Sequence, residues 1–145
     1  MLPLAPRILI VDDDRDSSEL SEMMLQYSNT RYDITSVQTP EEALRQAAIQ
    51  RYDLFVLDYR LLGMNGADVC RAIRRMDADT PVMFFTGAVF ERERRDAMQA
   101  GANAYRVKPC DLNKLIETVE DLLNGSKPAE TRDARPAAYG SRVSA

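Results

Sequence analysis

The stretch "ILIVDDD" (Ile8–Asp14) sets four apolar residues directly against three acids. Consecutive apolar positions without alternation suit a strand buried on both faces, as in a parallel sheet. Two further segments share this build, "YDLFVLD" (Tyr52–Asp58) and "PVMFFT" (Pro81–Thr86), and each also ends on a polar residue. The segment "RILIVD" (Arg7–Asp12) is thus the first of three strong strand candidates. "YDITSV" (Tyr32–Val37) and "NAYRV" (Asn103–Val107) are weaker ones.

Helical spacing fills the intervals. Leu20, Met23, Met24 and Tyr27 recur at helix period and predict a packed face. In "TPEEALRQAA" Thr39 is placed as an N-cap, Pro40 in the first turn and Glu42 for a capping box. Val69, Ile73 and Met76 mark a third helix. A fourth, Phe90 to Ala100, ends at Gly101 as a C-terminal cap. Its apolar face is thin (Phe90, Ala97, Met98), and Glu91 to Asp96 form an almost unbroken charged run. That run reads either as a solvated helix or as a lightly anchored element that presents a partner surface. The last helix carries Leu112, Leu115, Ile116, Val119, Leu122 and Leu123 and stops at Asn124-Gly125. Strand–helix alternation of this kind predicts an α/β domain with a parallel sheet between helices.

One domain and a tail account for the 145 residues, and 45% apolar residues suffice for its core. The expected boundaries are a lead-in at 1–6, the domain at 7–125, and a flexible tail at 126–145, where periodicity gives way to Ala, Pro, Ser and Arg. Nothing after residue 125 reads as an output domain. A net charge of −4 argues against direct nucleic-acid binding. Met1–Pro6 is neither a signal peptide nor a membrane span, so no membrane insertion is expected. Cys70 and Cys110 have no metal spacing and read as reduced thiols of a cytoplasmic protein, Cys70 packed. The chain has no histidine, which removes imidazole catalysis and imidazole metal ligands. Any phosphohistidine must therefore belong to a partner.

The strand ends carry the chemistry. In open α/β sheets the ligand crevice lies beyond the carboxyl ends of the strands. Asp12-Asp13-Asp14, Asp58, Thr86 and Lys108 would converge there. Singly, each has a plainer reading: the triplet as a capping cluster, Asp58 as a turn residue before "RLLGMNG", Thr86 as a strand-end hydroxyl, Lys108 as a solvated cation. Together at four strand ends they suggest a site. Crowded carboxylates repel unless a cation intervenes. Oxygen-only ligands suit a hard ion such as Mg²⁺, which takes one or two carboxylates with waters and a phosphate oxygen. Asp58 would then be the nucleophile that accepts a phosphoryl group.

These residues resemble the receiver domain of two-component response regulators. The likeness covers about Arg7 to Leu123 and rests on the acid pair after the first strand, "VLDYRLLGMNG", "FFTG", "GANAYRVKP" and the amphipathic last helix. It implies a doubly wound (βα)5 flavodoxin-like fold, with a five-stranded parallel sheet in the order 2-1-3-4-5 and helices on both faces. It implies that Asp58 is phosphorylated, that Asp13 ligates the metal directly, and that Asp12 holds metal-bound water. Asp14 could take part if the first strand ends late. Arg60 sits where the backbone carbonyl meets the metal, and Thr86 and Lys108 contact the phosphoryl oxygens. Lys108-Pro109 matches a cis peptide, and Tyr105 the aromatic that turns inward as Thr86 moves onto the phosphate.

The expected function is a stand-alone response regulator, a self-phosphorylating and self-dephosphorylating switch rather than a turnover enzyme. Its expected partners are a sensor histidine kinase or histidine phosphotransfer protein and a downstream protein. The alternative is a receiver-like interaction module that acts without phosphorylation. A flavin protein of the same topology is disfavoured, because acids after the first strand would repel a cofactor phosphate. Three departures matter: Leu62, the variable positions Arg60 and Ala88 that flank the phosphoryl group in the family, and Cys110 after the Lys-Pro pair, which reads only as packing. Leu62 stands where the family often has proline. Arg60, at a variable position, is expected to reach the phosphate or a partner with its guanidinium and alter the phosphoryl lifetime.

Overall fold

A computed structural model describes residues 5–125. The expected tail at 126–145 and most of the lead-in lie outside the described residues. The elements alternate: β1 (Arg7–Val11), α1 (Arg15–Ser28), β2 (Asp33–Val37), α2 (Pro40–Ile49), β3 (Leu54–Leu57), α3 (Gly66–Met76), β4 (Val82–Thr86), α4 (Glu91–Gln99), β5 (Ala104–Val107) and α5 (Leu112–Leu123). The five strands pair in parallel in the order β2-β1-β3-β4-β5, as the resemblance implied.

The apolar runs have no alternation because both sheet faces are covered. Leu9, Val11, Phe55, Leu57, Val82 and Phe84 pack on one face with Ala43 of α2, Val69, Cys70 and Ile73 of α3, and Ala97 of α4. Ile8, Ile10, Leu54, Val56, Met83 and Phe85 pack on the other with Leu25 of α1 and Leu115, Val119 and Leu122 of α5. Successive side chains of each strand thus serve opposite cores. Cys70 is fully buried, as expected. No described helix is long and apolar enough to cross a membrane.

Caps follow the sequence. The Thr39 hydroxyl accepts from the Glu42 N–H at 3.1 Å. The Glu42 carboxylate, expected to close a capping box, instead accepts from Arg45 at 2.7 and 3.1 Å. Gly101 ends α4 at φ 116° and admits the turn that a side chain would strain.

The predicted face of α1 is wrong. Leu20, Met23 and Tyr27 are exposed, and Ser18, Ser21 and Leu25 face the sheet. Both sets are spaced i, i+3, i+7, so the helix carries two stripes at the same period. The serine stripe wins because small side chains let α1 lie close to the sheet, with Leu25 and the partly buried Met24 completing the contact. Phe90 and Met76 are likewise exposed rather than core.

Candidate functional site

Backbone hydrogen bonds carry the ladder one residue past the strands and so set the site's register. The Asp12 N–H donates to the Val37 carbonyl at 3.1 Å, the Asp58 N–H to Val11 at 2.9 Å and the Lys108 N–H to Thr86 at 2.8 Å. Each bond places a polar side chain beside its neighbour at the carboxyl edge of the sheet. Asp12, Asp58, Thr86 and Lys108, expected from the sequence to converge, meet there.

The acid triplet divides its work. Asp12 is buried, and its Oδ1 accepts from the Asp14 N–H at 3.0 Å. Asp14 is the N-cap of α1, accepting from the N–H groups of Asp16 at 3.0 Å and Ser17 at 3.2 Å. The capping reading therefore holds for this one member, and Asp13 between them is exposed.

Lys108 Nζ lies 2.7 Å from Asp12 Oδ2 and 3.8 Å from Asp58 Oδ2. It also donates to Ser17 Oγ at 2.6 Å. Ser17 was not anticipated as part of the site. Its place in the first turn of α1, three residues past the Asp14 cap, was the available signal. The Lys108-Pro109 peptide is cis, as the resemblance implied.

Thr86 is fully buried and fully satisfied. Its hydroxyl donates to Asp58 Oδ1 and accepts from the Tyr59 and Ala88 N–H groups, each at 3.2 Å. Asp58 Oδ1 also receives the Arg60 N–H at 3.3 Å, so Oδ2 is the oxygen turned toward Lys108. Burial pushes the Asp58 carboxyl above the usual aspartate range, against the Thr86 hydrogen bond and the Lys108 charge, and the Asp12 charge adds to the rise. Tyr105 is turned inward, stacked on Phe84 at 5.8 Å, with its hydroxyl donating to the Ala88 carbonyl at 2.8 Å. Burial raises its phenol pKa strongly.

Two residues after Asp58, the Arg60 guanidinium is paired with an acid of another element. It forks onto Glu93 of α4, Nε to Oε2 at 3.0 Å and Nη2 to Oε1 at 3.1 Å. Tyr59 beside it donates its hydroxyl to Asp96 Oδ2 at 2.7 Å. Burial and that hydrogen bond push the Tyr59 phenol up to about 12. Arg71 of α3 binds the other Asp96 oxygen. The charged run of α4 is thus bonded to its surroundings rather than merely solvated. Glu93 and Asp96 were hidden in that run, although the position of Glu93 three residues after the Phe90 N-cap was a capping signal.

The donor set fits a hard divalent cation. Asp12 and Asp58 share the pocket with Lys108, Asp13 lies exposed beside them, and carboxylate oxygens of this kind are the donors such an ion takes. Among the described residues no three acidic, thiol or imidazole side chains close on one point. Mg²⁺ needs fewer protein ligands than that.

Residues 8–120 match the response regulator receiver domain family. The chain is 34% identical over 136 residues to the transcriptional regulatory protein PrrA of Mycobacterium leprae (strain TN), covering 94% of this chain and 58% of that protein. It is 32% identical over 131 residues to the response regulator MprA of Mycobacterium bovis (strain BCG / Pasteur 1173P2), covering 90% and 56%. The chain therefore spans little more than half the length of these relatives. Among solved structures it resembles the magnesium-bound receiver domain of the sensor histidine kinase PA1611 from Pseudomonas aeruginosa PAO1. The TM-score is 0.75 and the identity 29%, over 83% of this chain and 98% of that one. It also resembles a response regulator receiver domain protein from Methanospirillum hungatei JF-1, with TM-score 0.77 and 25% identity over 83% and 95%.

Proposed function

This chain belongs to the response regulator receiver domain family, and we propose that it is a phosphoacceptor that takes a phosphoryl group onto Asp58 from a phosphohistidine of a partner kinase or phosphotransfer protein. The observation that carries the proposal is the placement of Asp58 between Thr86 and Lys108, with Asp12 in the same pocket.

An Asp58 oxygen attacks phosphorus, the P–N bond breaks, and the imidazole leaves with the bonding pair. Oδ2 is the attacking oxygen, since Thr86 and the Arg60 N–H occupy Oδ1. Lys108 moves from Asp12 onto the phosphoryl oxygens and offsets their charge as the loose transition state forms. Asp12, Asp13, Asp58 and the Arg60 carbonyl would hold Mg²⁺, which supplies electrostatic stabilisation of the transferring group. Thr86 transfers its hydroxyl hydrogen bond to a phosphoryl oxygen. Tyr105, already packed inward against Phe84, locks the β4–α4 loop through the Ala88 carbonyl. Phosphorylation is thereby read out as a protein-binding surface that includes α4.

The donor docks beside the site. Leu20, Met23 and Tyr27 form an exposed apolar stripe on α1, the helix whose first turn holds Ser17 against Lys108. A stripe at helix spacing suits an amphipathic helix of the donor protein.

Incubation with acetyl phosphate and Mg²⁺, followed by intact mass, tests the reading. The wild type should gain one phosphoryl group and Asp58→Asn none. An unlabelled wild type, or a labelled Asp58→Asn, would sink it.

A further inference from the structure

We propose that Glu93 is a positioning residue for the phosphoacceptor site. It holds the Arg60 guanidinium off Asp58, and a phosphoryl group on Asp58 competes with it for that cation. The inference rests on Asp58 as the phosphoacceptor and goes beyond it by adding a residue of α4 to the site's control.

The geometry is specific to these side chains. Glu93 is almost entirely buried, with 9% of its side chain exposed, whereas Arg60 is 55% exposed. Both Glu93 oxygens are engaged by the Arg60 fork, and Oε1 also accepts the Phe90 N–H at 3.1 Å. This paired fork on a nearly buried carboxylate makes Glu93 a standing competitor for the guanidinium. The Phe90 ring backs the guanidinium, with its centroid 5.8 Å from Arg60 Cζ.

Phosphorylation changes the balance. It adds about −1.5 to −2 charges to a side chain two residues from Arg60. A guanidinium fork binds phosphate and carboxylate by the same paired geometry, so the transfer needs no new chemistry. Arg60 then lies across the phosphoryl oxygens and impedes the approach of water. Glu93 is left as a buried anion without its counter-charge, a costly arrangement. The first turn of α4 must open to hydrate it.

The buried residues of α4 are Glu93 and Ala97, and Asp96 ties the helix to Tyr59 and Arg71. The charge at Asp58 thus reaches α4 by a path separate from the Thr86 hydroxyl and Tyr105.

The test is the phosphoryl lifetime after donor removal in wild type, Glu93→Gln, Arg60→Ala and the double variant. Glu93→Gln keeps an acceptor for the Phe90 N–H but frees Arg60, so the lifetime should lengthen about three- to fivefold, the size of one partly exposed ion pair. Arg60→Ala should shorten it, and Glu93→Gln should add nothing in that background. A wild-type lifetime in Glu93→Gln, or an equal effect with and without Arg60, overturns the proposal. Should Glu93→Gln fail to fold, an unchanged lifetime in Arg60→Ala overturns it as well. A wild type that takes up no phosphoryl group removes the phosphoacceptor reading and this inference together. A labelled wild type with insensitive lifetimes removes this inference alone.

Discussion

Lys108 Nζ sits 2.7 Å from Asp12 and 3.8 Å from Asp58, so the site's lysine rests on the first strand's acid rather than on the third's. Asp12 is the more deeply buried carboxylate, with 4% of its side chain exposed against 15% for Asp58. The cation goes where desolvation makes an unpaired charge most expensive. Lys108 is thus a structural counter-ion to Asp12 in its own right.

Lys108→Met should therefore do two things. It should abolish acetyl-phosphate labelling, and it should lower stability by about 3–5 kcal/mol, because a buried carboxylate loses its partner. The stability loss should shrink when Asp12→Asn is added, while labelling stays absent. Urea unfolding of the single and double variants measures this.

Gly66→Ala should damage fold and site together. A Cβ at Gly66 would come 2.1 Å from the Asp58 carbonyl oxygen and 2.8 Å from the Phe84 ring. Gly66 also donates its N–H to the Tyr59 carbonyl at 2.6 Å, so helix α3 cannot simply back away. The expected loss is about 3 kcal/mol, at the upper end of overpacking. Labelling should fall as well, because the displaced backbone is that of Asp58, the proposed phosphoacceptor.

The two stripes of α1 should separate by experiment. Leu25→Ala, in the core, should cost about 2–4 kcal/mol. Met23→Ser and Leu20→Ser, on the exposed stripe, should each stay within about 0.5 kcal/mol of wild type. Both serine variants should still be labelled by acetyl phosphate but should accept more slowly from a phosphohistidine donor. Equal losses in the two stripes would contradict the structure.

Acid should weaken the turn between α3 and β4. Asp77 accepts the Asp79 and Thr80 N–H groups, each at 3.0 Å, and the Thr80 hydroxyl at 2.5 Å. Burial opposes ionisation there, yet these bonds outweigh it and lower the Asp77 pKa. An acid whose folded pKa is depressed binds its proton more readily unfolded. Its stabilisation is present above its unfolded pKa of about 4 and is lost as pH falls through the folded value. Asp77→Asn should flatten the stability–pH curve below about pH 4 and leave the slope above about pH 6 unchanged. Urea midpoints against pH check it.

The three inner strands were readable because they are buried on both faces, which leaves a dense apolar signature that no helix here imitates. The core of the site was readable for a related reason. Asp12, Asp58 and Thr86 each close such a run, Lys108 follows the weaker fifth strand, and parallel register converts those positions into proximity. The outward stripe of α1 was not readable, because periodicity fixes a face only relative to itself. Nor were Glu93 and Ser17, since their roles arise from tertiary partners, Arg60 and Lys108, that lie 33 and 91 positions away. Charge patterning shows that an ion can pair, not with which of several neighbours.

The place of β1 between β2 and β3 has a consequence for biogenesis. Its two neighbours are β2 and β3, so the first three strands can zip together while the rest of the polypeptide is still emerging from the ribosome. Asp12 and Asp58 would then face one another before Thr86 and Lys108 exist to restrain them. A released fragment ending at residue 77 should accordingly show a fluctuating intermediate by pulse proteolysis. On this view β4 and β5 arrive last as both the sheet's closing edge and the counter-charge that quiets it.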